Sequence, residues 1–355
     1  MSTKILAINP GSTSTKAAVY CDKEQILDLT LRHSAEEIAQ FKHVILQLDW
    51  RKNLIVSDLE RNGFDVKELT AIVGRGGLVK PIEGGVYEVN DALYNDSKFA
   101  KREHASNLGA LIARSMADEL GIKSYIVDPV VVDELEPVAR VSGIPAIPRV
   151  SMFHALNSKA IAHGYAEENG KKYEDLNVIV VHMGGGVSVS FHKNGRVVDT
   201  TNALSGSGAF SPERAGGLEP GGLVDMCYSG DYTYEEMMKM LIGKGGLVAL
   251  MQTNSMLDVV NAALDGDEKA KLVFDAFCYN VAKDIGAMST VNCGDVDAIL
   301  ITGGIAYNSH ITAELTRRCE KIAPVHIYPG ENELETLVFN TLKAVNGEIE
   351  PKVYK

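Results

Sequence analysis

Between two short apolar runs, Ile5-Leu6-Ala7-Ile8 and Ala17-Ala18-Val19-Tyr20, the chain places Asn9, Pro10, Gly11, Ser12, Thr13, Ser14, Thr15 and Lys16. A plain hairpin needs only a pair such as Asn-Gly. Hydroxyls, an amide, one ammonium and the backbone N–H groups of such a turn are donors, and converging donors suit a phosphate. Asn9, Ser12, Thr13, Ser14 and Lys16 are therefore candidate phosphate contacts. A second turn of this kind, His182-Met183-Gly184-Gly185-Gly186, joins the apolar runs 178–181 and 187–191. A third special turn, Gly303-Gly304, closes a buried-strand pattern, and Asn308 stands at the start of the helix that follows. The Gly-x-x-x-x-Gly-Lys-Ser/Thr pattern of a P-loop is absent from the sequence.

These turns need strands to hold them. The opening reads strand, turn, strand, reversal, then a third strand over 26–31. The segment 177–201 repeats the plan, with Lys193-Asn194-Gly195-Arg196 as its second hairpin. Two three-stranded meanders, each with a donor-rich first turn, point to a duplicated fold. After each meander, helix and strand alternate: a helix over 91–120, a strand over 124–127 ending at Asp128-Pro129, then helices over 267–288, 309–322 and 332–345 around a strand at 325–328. Such alternation implies α/β layers. The expected division is a first domain over 1–152 and a second over 153–331, with the C-terminal helix of 332–355 packing back on the first. The glycine-rich stretch 205–222 is the candidate mobile loop.

The bulk composition fits this plan. The chain has 355 residues, 45% hydrophobic and 23% charged, enough for two cores. A net charge of -12 argues against nucleic acid and anionic membranes as partners, because both call for a basic face. Any polyanion site must then be built from a few placed cations. The 5 cysteines are scattered without a Cys-x-x-Cys pair, which fits a reducing cytoplasm rather than a disulfide framework or a zinc site. The N-terminus carries no signal-peptide pattern, and no apolar run approaches the roughly 20 residues of a membrane span.

Taken in order, the three turns resemble the ATP-binding set of the actin, sugar-kinase and Hsp70 superfamily. "NPGSTSTK" resembles the first phosphate turn, "HMGGGVSV" the second and "ITGGIAYN" the adenosine motif. "VGRGG", "IVDP", "RVSMFH" and "SPERAGGLEPGG" resemble the catalytic segments of the acetate and butyrate kinase family, most of all its butyrate and branched-chain fatty acid kinases. The resemblance implies an α/β fold of two ribonuclease-H-like domains, the actin-like ATPase fold, with nucleotide in the interdomain cleft. It also implies a homodimer or larger assembly. It makes Arg75, Asp128, His154 and Arg214 the catalytic residues. Nucleotide contacts fall to the first-turn residues with His182, Gly184, Gly185, Gly186, Gly303, Gly304 and Asn308. Asp128 would hold Mg2+ with a C-terminal acid, Glu331 or else Glu333. The sequence departs from the acetate kinase pattern at Gly185, where Asn is usual.

The reaction implied is phosphoryl transfer between ATP and a short-chain fatty acid, giving an acyl phosphate and ADP. Its difficulty is electrostatic, since an ionised carboxylate must approach a polyphosphate. No general base is required, and catalysis rests on positioning and charge stabilisation. Arg75, Arg214 and His154 supply the cations. Arginine suits the task because its planar fork holds a carboxylate or phosphoryl edge and keeps its charge. Taken singly, each has a plainer reading: a surface ion pair for Arg75, a satisfied core histidine for His154, a turn residue for Asp128. Small residues after Arg75, namely Gly76 and Gly77, are expected to leave room for butyrate or isobutyrate, with Val79 and Phe153 as pocket walls. Each added methylene buried there contributes about 0.8 kcal/mol. Acetate and propionate are the alternative acceptors. A non-catalytic nucleotide switch is the alternative of another class.

Overall fold

The computed structural model describes residues 2–355. By its contacts the chain divides into two units, Met1–Val132 with Asn332–Lys355, and Asp133–Glu331. Residues 133–152 therefore go with the second unit.

The first unit is built on a six-stranded sheet of order β3-β2-β1-β4-β6-β5, where β1 is Lys4–Pro10, β2 Ser14–Cys21, β3 Glu24–Arg32, β4 Ala71–Arg75, β5 Val86–Glu88 and β6 Lys123–Val127. β1, β2 and β3 form an antiparallel meander, while β1, β4 and β6 run parallel. Side chains alternate across a strand. Leu6, Ile8, Ala17 and Val19 face one way, onto Ile55 and Leu59 of the helix Leu48–Arg61 and Leu108, Leu111 and Ile112 of the helix Asn107–Leu120. The helix Glu333–Val345 packs on β1, β4 and β6, and its Phe339 meets Tyr20 edge-on at 6.3 Å.

The second unit has a five-stranded sheet of order β11-β10-β7-β8-β9, with β7 Asn177–Met183, β8 Val187–Lys193, β9 Arg196–Thr200, β10 Ala298–Gly303 and β11 Val325–Pro329. One face packs Ile179, Val181 and Phe191 on the long helix Glu268–Ser289, and the other packs Val178, Val180 and Leu300 on Ala155–Glu168. Strand for strand, β9-β8-β7-β10-β11 repeats β3-β2-β1-β4-β6. Even the irregularities correspond, with a register shift at Val19/Tyr20 in β2 and at Phe191/His192 in β8.

The helix expected over 91–120 is two helices, Asp91–Lys98 and Asn107–Leu120. The break is chemical. The amide of Asn107 accepts from Leu78 N–H (2.7 Å) and donates to Arg102 O (3.0 Å), while His104 bonds Ser106 (2.8 Å). These local bonds replace the backbone ladder. No helix among the described residues is long and apolar enough to cross a membrane.

Candidate active site

In the first unit, the parallel register aligns Ile8 with Gly74 and Arg75 with Val127. Asn9, Arg75 and Asp128 therefore stand at the carboxyl ends of three parallel strands, where ligand sites of α/β sheets gather. Arg75 Nη1 donates to Glu333 Oε2 at 3.0 Å and to Asn9 Oδ1 at 3.4 Å, and Asn9 Nδ2 donates to the same Glu333 oxygen. Arg75 thus already holds a carboxylate. Asp128 is buried with φ 37°, in the left-handed region where a non-glycine residue is strained. Two bonds to Gly85 hold it there: Asp128 Oδ1 accepts from Gly85 N–H at 2.7 Å, and Asp128 N–H donates to Gly85 O at 3.1 Å.

In the first turn, Gly11 N–H donates to Ser14 O at 2.7 Å, and Ser12, Thr13 and Lys16 are exposed. The hydroxyls of Ser12, Thr13 and Ser14 make no hydrogen bond to protein among the described residues. The two glycines after Arg75 serve packing instead of leaving space. A Cβ at Gly76 would lie 2.5 Å from Pro129 Cβ, and one at Gly77 would lie 2.3 Å from Asn107 Oδ1. Val79 packs into a small core with Tyr87, Leu93 and Tyr354.

In the second unit the corresponding edge carries His182, at the end of β7. Its ring is buried and bonded on both sides, to Asn157 Nδ2 at 2.9 Å and to Glu331 Oε1 at 3.0 Å. Asn157 also donates to Thr302 Oγ1 at 3.1 Å on the neighbouring strand. His154 stacks on His182, ring centroids 3.7 Å apart and planes 11° from parallel, with its Nδ1 2.9 Å from Ser188 Oγ. Phe153 is buried beside it in sequence. Gly184 N–H donates to Gly186 O at 2.9 Å, closing the triple-glycine turn, and Ser211 Oγ donates to Gly185 O at 2.9 Å.

Arg214 lies over this turn. A Cβ at Gly186 would fall 1.9 Å from Arg214 Nη1, which donates to Ala203 O at 2.7 Å. Burial lowers the Arg214 pKa from its usual range, Glu213 acting the other way. Gly303 has φ 91°, and a Cβ there would strike Met183 O at 2.3 Å, so β10 ends tight against β7. Above Gly185 and Gly304, by contrast, the space is open. Both line a cavity of ≈ 390 Å³, with Gly184, Ile305, Glu213 and Glu331 among its other walls. That is within the usual size for a small-molecule pocket, and its glycines let a ligand approach the backbone. The side-chain oxygen of Asn308 caps the helix Ser309–Cys319, accepting from His310 and Ile311 N–H.

The two acids left open by the sequence thus have separate tasks: Glu331 pairs with His182 and Glu333 with Arg75. Sequence reasoning missed Asn157 and Asp284, which carry no local signal. Asp284, in the helix Glu268–Ser289, accepts from Ala209 N–H at 2.7 Å and anchors the loop that leads to Arg214. Burial pushes its carboxyl pKa up to about 6, against smaller opposing effects of that bond and of Lys283. The folded state therefore binds this proton more tightly than the unfolded chain. Its burial costs nothing below about pH 4, grows as pH rises to about 6, and persists above. Asp284→Asn should stabilise the protein at pH 8 by on the order of 2 kcal/mol, with no gain at pH 4. Equal melting shifts at both pH values would refute this.

The fold is that of the actin-like ATPases. The structure matches the crystal structure of Porphyromonas gingivalis acetate kinase with a TM-score of 0.81, covering 97% of this chain and 100% of that one at 17% identity. The profile of the acetokinase family matches residues 147–338. Butyrate kinase 2 of Clostridium acetobutylicum is 53% identical over 100% of both chains. A probable butyrate kinase of Bacteroides thetaiotaomicron is 51% identical over 99% of this chain and 100% of that one. The chain belongs to the acetokinase family.

Proposed function

We propose that the protein is a cytoplasmic, homo-oligomeric butyrate kinase, transferring the γ-phosphoryl group of ATP reversibly and in line to the carboxylate of butyrate or isobutyrate. The observation that carries this reading is the end-to-end match to relatives named butyrate kinase.

The acid arrives ionised, so the protein has only to bring two anions together. Arg75 receives the acceptor carboxylate, as its grip on Glu333 illustrates. Arg214 and His154 stabilise charge on the transferred group. The glycine-floored cavity takes the nucleoside, and the turns 9–16 and 182–186 take the phosphates. Asp128 suits Mg2+, which keeps most of its water and uses few protein carboxylates. Glu331, held by His182, is the second acid available to the ion. When bound, Mg2+ neutralises phosphate charge.

Because Pro129 and Asn107 fill the space beside Gly76 and Gly77, those glycines do not support the choice of acid, and the relatives do. In an acyl-hydroxamate assay with Mg-ATP and acids from C2 to C6, butyrate or isobutyrate should exceed acetate several-fold in kcat/KM, and chelator should abolish turnover. A clear acetate preference would reject butyrate as the acceptor. Turnover undiminished in chelator would reject the metal.

A further inference from the structure

Arg51, in the helix Leu48–Arg61, heads the largest fully buried side chains of the protein, at 1% exposure. A buried guanidinium is ordinarily matched by a carboxylate, because an unpaired charge in the interior is costly. Arg51 has none among the described residues. Nη1 donates to Gly11 O at 2.8 Å, Ser14 O at 3.3 Å and Thr15 Oγ1 at 2.9 Å. Nε and Nη2 both donate to Gln47 Oε1, at 3.0 and 2.8 Å. Every acceptor is neutral. Burial lowers its pKa to about 10, which leaves it a cation at neutral pH.

The side chains bonded around it, Gln47, Thr15 and His33, carry no negative charge. Thr15 Oγ1 accepts from Arg51 and also hydrogen-bonds His33 Nε2, 2.8 Å away. His33 is buried, and burial and the Arg51 charge together lower its pKa. Exposed Glu37 acts weakly the other way, and its carboxylate is bonded to Ser34 N–H. One full positive charge therefore stands directly behind the turn Gly11–Thr15.

The same bonds set the direction of that turn. A trans peptide points its C=O and N–H opposite ways. With Gly11 O drawn in toward Arg51, the N–H of Ser12 is aimed outward, on the side where Ser12 and Thr13 are exposed. We propose that Arg51 is a positioning residue for phosphate: it aims the first turn outward, and its missing counter-charge is the phosphate chain that the turn receives. The inference rests on the reading of 9–16 as a phosphate turn.

The test compares Arg51→Gln and Arg51→Lys with the wild-type protein. Arg51→Gln should raise KM for Mg-ATP about tenfold or more, a larger factor than its loss in kcat. By calorimetry it should weaken tripolyphosphate by a similar factor and adenosine by less than twofold. Arg51→Lys, which keeps the charge, should recover most of the loss. A merely structural role would affect adenosine and tripolyphosphate alike. The inference is overturned if folded Arg51→Gln binds tripolyphosphate normally, or if both ligands weaken equally. Should Arg51→Gln fail to fold, Arg51→Lys decides: native melting with tripolyphosphate affinity lost removes the charge from the explanation, and affinity retained supports it. Failure of the wild type to form acyl phosphate would sink the proposed function, yet the tripolyphosphate comparison would still judge Arg51.

Discussion

Arg214→Ala should lose turnover by about 10³-fold while remaining folded and able to bind nucleotide. The size follows from what removal of one preorganised charge-stabilising donor typically costs. The survival of the fold follows from the backbone. Ser211 N–H bonds Arg214 O at 3.0 Å, and Arg214 pairs with Ile242 as an antiparallel bridge, so main-chain contacts hold the segment without the side chain. What is lost is the guanidinium and its bond to Ala203 O. Arg214→Lys should restore little, because an ammonium offers no planar fork to hold Ala203 and a phosphoryl edge together. A single-turnover measurement with Mg-ATP and butyrate separates chemistry from binding. Near-normal kcat in folded Arg214→Ala would remove this residue from the mechanism.

The architecture was legible because its signals are local. Alternating apolar runs broken by donor-rich turns announce both meanders, and Lys193-Asn194-Gly195-Arg196 announces the second hairpin in four letters. The candidate site residues at strand ends drew attention for the same reason: Arg75, Asp128 and His182 each stand at the end of an apolar strand. Residues whose roles depend on partners far along the chain were not. Arg51 sits between Trp50 and Lys52 in a polar helix and reads as a solvated charge, until β1 and β2 bring the first turn against it. Asn157 and Asp284 likewise gain meaning only when His182 and Ala209 arrive. Gly76 and Gly77 show the reverse error. A missing side chain suggests space, but close passage of Pro129 and the start of the helix Asn107–Leu120 requires the same residue. Glu331 and Glu333, two residues apart, could not be told apart until β11 ended and a helix began between them, sending one to a histidine and the other to an arginine.

Gly186→Ala should lower kcat by about 10²-fold with little loss of stability, and the reason is which atom the new methyl meets. Its Cβ would sit 1.9 Å from Arg214 Nη1 and 2.9 Å from Cζ, with the nearest backbone atom, Ala203 O, at 3.3 Å. The far end of a flexible side chain can move, so the fold yields cheaply. Arg214 must then leave its place over the turn, and a misplacement of about 1 Å is enough to cost rate on this scale. Gly185→Ala is the control, since nothing lies within 4 Å of its Cβ. It leaves Arg214 undisturbed and intrudes on the cavity, so it should raise KM for ATP more than it lowers kcat. The double variant Gly186→Ala/Arg214→Ala should be no slower than Arg214→Ala alone, because both changes remove one interaction. Additive losses would show that Gly186 acts on something other than Arg214.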